Sequence, residues 1–89
     1  MMNKADFLEA FDLCIADKEV NLIVVAVEGV ADYEELIINP RENFETKRAY
    51  YEETYNDDMR LSFKPEIGIT WISGLGNFNE LAYDKEVTE

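Results

Sequence analysis

Phe7, Leu8, Phe11 and Ile15 recur at helical spacing, with Cys14 widening the apolar stripe, and predict a helix from about Lys4 to Asp17. Asn3 is placed to cap it, and Asp6 puts a negative charge in its first turn, where the helix dipole is positive. Asp6, Glu9 and Asp12 fall on the wet side, and Leu13 is the one apolar misfit there. Next comes the run Leu22-Ile23-Val24-Val25-Ala26-Val27, short and rich in β-branched residues, which predicts a strand over Val20 to Val27. Unbroken apolarity implies cover on both faces, so this strand is expected at the centre of a sheet. The segment Glu28-Gly29-Val30-Ala31-Asp32 is short enough for a hairpin connection, and a second strand is expected from Tyr33 to Ile38, stopped by Asn39-Pro40.

Asn43 is the expected cap of a second helix from Phe44 to Asp57, with Phe44, Arg48, Tyr51 and Tyr55 on one face and Glu45, Glu52 and Glu53 away from it. Asn56-Asp57-Asp58 places acid where the helix dipole is already negative, and these residue types favour turns, so they mark its stop. Beyond it, Leu61 and Phe63 alternate with polar residues, Pro65 interrupts, and Ile67, Ile69 and Trp71 alternate in turn. That phase makes Trp71 a core residue. Ser73-Gly74-Leu75-Gly76-Asn77 reads as a turn or hinge, and Phe78, Leu81 and Tyr83 belong to a final piece, helical turn or strand, before a polar end. The resulting class is α+β: two helices packed on a small antiparallel or mixed sheet, in the order α-β-β-α-β. With 89 residues the chain is a single small acidic domain, 1–89.

Composition narrows the chemistry. Twenty acidic residues against eight basic ones give a net charge of −12, which argues against direct binding to nucleic acid or to an anionic membrane. No apolar run approaches the length of a membrane span and the amino terminus has no secretory core, so a cytoplasmic protein is expected. A lone cysteine excludes an internal disulfide framework and suggests a reducing compartment. There is no histidine, the commonest general base and metal ligand. Cys14 therefore lacks an activating partner and reads as structural, while Ser62 and Ser73 have no recognisable base. Glu45-Thr46-Lys47 has the Glu-x-Lys spacing of some metal-dependent nucleases, but it opens a helix rather than lying on a strand. Gly74-x-Gly76 lacks the rest of a dinucleotide loop, and no acidic cluster has the spacing of a calcium loop. The chain is read as a non-enzyme without a catalytic residue, metal or cofactor.

What remains is the acid excess, larger than the magnitude of roughly 2–8 that keeps a small domain soluble. Carboxylates fixed on rigid elements present a field similar to that of a nucleic acid, and they would be steered into the basic groove of a protein that binds one. Glu34, Glu35, Glu52, Glu53, Asp57 and Asp58 are the candidate contacts, with Tyr50 as an aromatic anchor to one side of the core-facing tyrosines.

The string Ile37-Ile38-Asn39-Pro40 … Asn43 … Lys47 … Tyr50-Tyr51 … Tyr55-Asn56-Asp57-Asp58 … Leu61 resembles a pattern in small phage and prophage proteins of Gram-positive bacteria. In size and acidity the chain is also similar to anti-CRISPR proteins, a likeness that implies inhibition of a host nuclease by covering its nucleic-acid-binding surface. The expected partner is thus the basic surface of a host nucleic-acid-binding protein, met in the host cytoplasm. The alternative is a homo-oligomeric structural or small-molecule-binding module, suggested by the mixed Tyr, Arg and Lys character of the second helix and the apolar residues Phe78, Leu81 and Tyr83.

Overall fold

A computed structural model describes residues 2–77. It contains α1 (Lys4–Ala16), β1 (Leu22–Glu28), β2 (Glu35–Pro40), a 3-10 turn (Arg41–Asn43), α2 (Phe44–Thr54), β3 (Arg60–Leu61) and β4 (Lys64–Leu75). The strands form one antiparallel sheet in the order β2-β1-β4-β3. The class is α+β, and the order α-β-β-α-β-β has one strand more than the sequence pattern suggests. The extra strand arises because Ser62-Phe63 forms a tight turn between β3 and β4. Pro65 then sits near the start of β4, where a missing N–H costs least.

Asn3 caps α1 as its spacing implies: its Oδ1 accepts the Asp6 N–H at 2.8 Å. Phe7 and Phe11 turn inward and are fully buried, whereas Leu13 lies 67% exposed. β1 pairs with β2 and β4 and is interior, as its apolar run requires. Its residues Ile23, Val25 and Val27 meet Phe7, Phe11, Phe44, Tyr51 and Ile69 in the core, so both helices cover the same face of the sheet. Burying these side chains contributes roughly 1.5–3 kcal/mol each.

Several boundaries differ from the sequence expectation. β2 runs on through Asn39-Pro40, because it is an edge strand and Pro40 lies at its last pairing with Leu22. Asn43 makes no side-chain cap; it closes the 3-10 turn that leads the chain into α2 instead. The helix stops at Thr54 rather than Asp57, and Tyr55 is already extended and bridged to Leu61. Asn56 helps fix this exit: its Oδ1 accepts the N–H groups of Asp58 and Arg60 at 2.9 and 3.0 Å. Ser73 to Leu75 is strand, not hinge, pairing with Val24, Ile23 and Leu22. Gly74 is needed there for space, since a Cβ would come within 2.8 Å of Cys14 Sγ and 3.0 Å of Val20. Gly29 is needed for both conformation and space: its φ is +92°, and a Cβ would meet the Glu66 carbonyl oxygen.

The largest correction concerns Trp71. A bulge between Ala26 and Val27 shifts the β1–β4 register, pairing Val27 with Ile69 but Ala26 with Trp71. Ile69 therefore stays in the core, while Trp71 is carried to the opposite face, 45% exposed. Phe78, Leu81 and Tyr83 lie outside the described residues.

Candidate functional site

The helix layer gathers much of the acid on one side of the molecule. On α1, Asp6, Glu9 and Asp12 are exposed; on α2, Glu45, Glu52 and Glu53 are exposed, and Asp57 and Asp58 follow in the turn. At 1.5 Å rise per residue, Asp6 and Glu9 stand about 4.5 Å apart along their axis and Glu45 and Glu53 about 12 Å.

Arg48 and Lys4 lie in the seam between the helices. Arg48 grips Asp12 through Nε at 2.6 Å and Nη2 at 3.0 Å and reaches Glu52 at 3.3 Å; these charges hold its own pKa above the usual guanidinium range. Lys4 donates from Nζ to the Glu52 carbonyl at 2.8 Å, and its backbone N–H to the Asp57 carbonyl, also at 2.8 Å. Among the described residues, the ion pairs are Arg48 with Asp12 and Glu52, and Arg60 with Glu28. The carboxylates of Asp6, Glu9, Glu45, Glu53, Asp57 and Asp58 have no cation partner there.

The candidate contacts thus divide into two groups. Glu52, Glu53, Asp57 and Asp58 lie together at the C-terminal end of α2, with Glu52 engaged by Arg48. Glu34 and Glu35 lie at the β1–β2 connection: Glu34 accepts the Thr70 hydroxyl, and Glu35 pairs with Val27 as the half-buried first residue of β2. Tyr50 is 43% exposed, with the Lys47 ammonium 5.0 Å from its ring centroid. Behind it, Tyr51 and Tyr55 are buried, and their rings stack edgewise or tilted on Phe7, Phe11 and Tyr50. Burial raises the pKa of both phenols, that of Tyr55 to about 12.

Burial, then the nearby Asp17 carboxylate, push the half-buried Cys14 thiol up, against a smaller opposing pull from Arg41. Glu45 stands in the first turn of α2, and no group of three or more Cys, Asp or Glu among the described residues is placed to hold a metal ion. No described helix is long and apolar enough to cross a membrane. The depression lined by Glu19, Val20, Asn21, Gly74, Gly76 and Asn77 is open and shallow.

Sequence reasoning passed over Leu36 and placed Trp71 in the core, yet the two flank Ala26 on the face of the sheet away from the helices; Phe63, read as part of an alternating strand, is 79% exposed at the β3–β4 turn. The alternation of Leu36 with Ile37 was the available signal for the first; a bulge leaves none for Trp71. No family model matches the chain, and no curated protein or solved structure matches it.

Proposed function

We propose that this chain is a non-enzymatic, phage-type inhibitor that occupies a basic nucleic-acid-binding surface on a host protein, in the manner of an anti-CRISPR protein. The observation that supports this reading is the segregation of charge on the helix layer. Two of its three cations, Lys4 and Arg48, are turned into the seam between α1 and α2 and the third, Lys47, lies over the Tyr50 ring, while Asp6, Glu9, Glu45, Glu53, Asp57 and Asp58 face solvent without a cation partner among the described residues. Helices hold Asp6, Glu9, Glu45 and Glu53, and the turn fixed by Asn56 holds Asp57 and Asp58, which suits a decoy for a phosphate backbone. Tyr50 adds an aromatic surface on which a guanidinium of the partner stacks. Glu34 and Glu35 belong to a second contact group at the β1–β2 connection.

The test is capture from host lysate by immobilised protein at 50 mM and 500 mM NaCl, with elution by duplex DNA. The expected result is a partner retained at low salt, released at high salt and displaced by DNA. Glu45→Gln/Glu53→Gln/Asp57→Asn/Asp58→Asn should weaken retention by at least tenfold with the fold intact by circular dichroism. Retention indifferent to salt and to this variant, or no retention at either salt, overturns the proposal.

A further inference from the structure

The bulge that carries Trp71 outward also builds its surroundings. Between Ile69, opposite Val27, and Trp71, opposite Ala26, Thr70 is the extra residue of β4. Its hydroxyl donates to Glu34 Oε2, which leaves Glu34 Oε1 without a hydrogen-bond partner among the described residues. Glu34 enters from the β2 side, so its side chain reaches past β1 and ends beside the residue that precedes the tryptophan. Around this point Tyr33, Leu36 and Trp71 are 71%, 47% and 45% exposed. A bulge can re-aim a side chain, and here it leaves an indole half in water next to an oriented carboxylate.

Charge around this indole has one sign. From Glu28 to Pro40 the chain contains Glu28, Asp32, Glu34 and Glu35 and neither lysine nor arginine. Arg60 pairs with Glu28, while Asp32, Glu34 and Glu35 have no cation partner among the described residues. The protein's own cations serve other rings: Arg41 lies over Phe44, and Lys47 over Tyr50 and Tyr51. Trp71, whose indole is the best π face among the side chains, has no cation over it among the described residues.

We propose that Trp71 and Glu34 form a recognition site for an arginine side chain of the basic partner. The guanidinium stacks on the exposed indole and donates to Glu34 Oε1, with Asp32 and Glu35 adding to the local field. A planar guanidinium does both at once, because it stacks through its face and donates from its edge. An ammonium is a compact, strongly hydrated point charge without that geometry. An acidic or purely apolar occupant would desolvate Glu34 and Asp32 with no compensating charge, so the patch selects against both. The inference deepens the reading of the chain as a polyanion decoy and rests on it for the partner's basic character, but it concerns the sheet and not the helix layer.

The single tryptophan makes the test direct. The probes are acetyl-Gly-Arg-Gly-Arg-Gly-amide and its lysine counterpart, titrated into the intact protein at low salt while Trp71 emission and the indole N–H resonance are followed. The arginine peptide should change both signals saturably and bind at least threefold more tightly than the lysine peptide. Glu34→Gln, checked for folding by circular dichroism, should weaken it at least threefold. Glu45→Gln/Glu53→Gln/Asp57→Asn/Asp58→Asn should leave the Trp71 response within twofold, since those acids lie on the helix side. Equal binding of the two peptides, a response that never saturates, or one that Glu34→Gln leaves unchanged overturns the site. The site and the wider reading fail separately. A host protein captured at low salt and displaced by DNA, yet retained equally by Trp71→Leu, overturns the site and spares the decoy. Arginine-selective binding at Trp71 with no salt-sensitive capture upholds the site and overturns the decoy.

Discussion

Tyr55 shows how one residue couples the core to pH. It sits just past the end of α2, buried against Tyr50 and Tyr51, and its hydroxyl is held to a folded-state pKa of about 12 against about 10 in an open chain, chiefly by desolvation and then by the neighbouring phenols. A raised acid pKa means that the folded state favours the neutral form. The stabilisation is therefore complete below pH 10 and is lost as pH rises through 12. Two pKa units correspond to roughly 2–3 kcal/mol by linkage. Urea unfolding at pH 9 and pH 11.5 should show wild type losing more stability than Tyr55→Phe by an amount of that order. Equal losses in the two proteins would mean that Tyr55 ionises in the folded state as freely as in water. Tyr51 is raised in the same direction by burial, opposed by the adjacent Asn39 amide, so the variant isolates one phenol of the pair.

At the scale of elements, Arg41 ties three of them together. From the turn before α2, its guanidinium donates to the carbonyls of Val20 at 2.8 Å and Asp17 at 2.6 Å, and more loosely to those of Ile15 and Cys14. These include the Cys14 and Ile15 carbonyls in the last turn of α1, where a cation also complements the helix dipole. The same group lies 5.0 Å from the centroid of Phe44, the first residue of α2. A lysine keeps the charge but not the planar fork, so Arg41→Lys should cost about 1–3 kcal/mol in chemical denaturation. It should also speed amide exchange in the last turn of α1 while leaving the first turn, capped by Asn3, unchanged. Uniform exchange along α1 would show that Arg41 does not act as its cap. Here lies the limit of what the sequence made legible. Helical spacing in Phe7, Phe11, Phe44 and Tyr51 and the apolar run of β1 are local patterns, and they specified both helices, the interior strand and one layer of the core. Arg41 lies 21 to 27 residues from the carbonyls it caps, and no periodicity records such a contact. The bulge that turns Trp71 outward is equally silent, because it depends on which residues of β1 and β4 meet. For the candidate site the pattern placed Glu52, Glu53, Asp57 and Asp58 near one another. It could not show that Arg48 occupies Glu52, or that Glu34 binds Thr70.

For the molecule as a whole, the net charge of −12 sets a balance between self-repulsion and the ion pairs that oppose it. Arg48 with Asp12 and Glu52, and Arg60 with Glu28, are partly exposed, and such pairs contribute only about 0–1 kcal/mol each. Against them stand carboxylates on α1, α2 and the following turn that share one side of the fold. Their repulsion acts over distances comparable to the Debye length of ~8 Å at 0.15 M salt and is largely screened at 1 M. Added NaCl weakens both effects, but the unpaired acids outnumber the pairs, so repulsion dominates and screening should stabilise the fold. The melting temperature, measured at a protein concentration where the chain is monomeric, should rise between 10 mM and 1 M NaCl. For about 1 kcal/mol of relieved repulsion, a domain of this size shifts by about 4–8 °C. Glu45→Gln/Glu53→Gln/Asp57→Asn/Asp58→Asn should already melt higher at 10 mM and gain less from salt, because the charges being screened are the ones it removes. A melting temperature that falls with salt would place the ion pairs above the repulsion. A rise of equal size in both proteins would locate the repulsion away from the helix layer, and with it the field proposed to draw this chain to a basic partner.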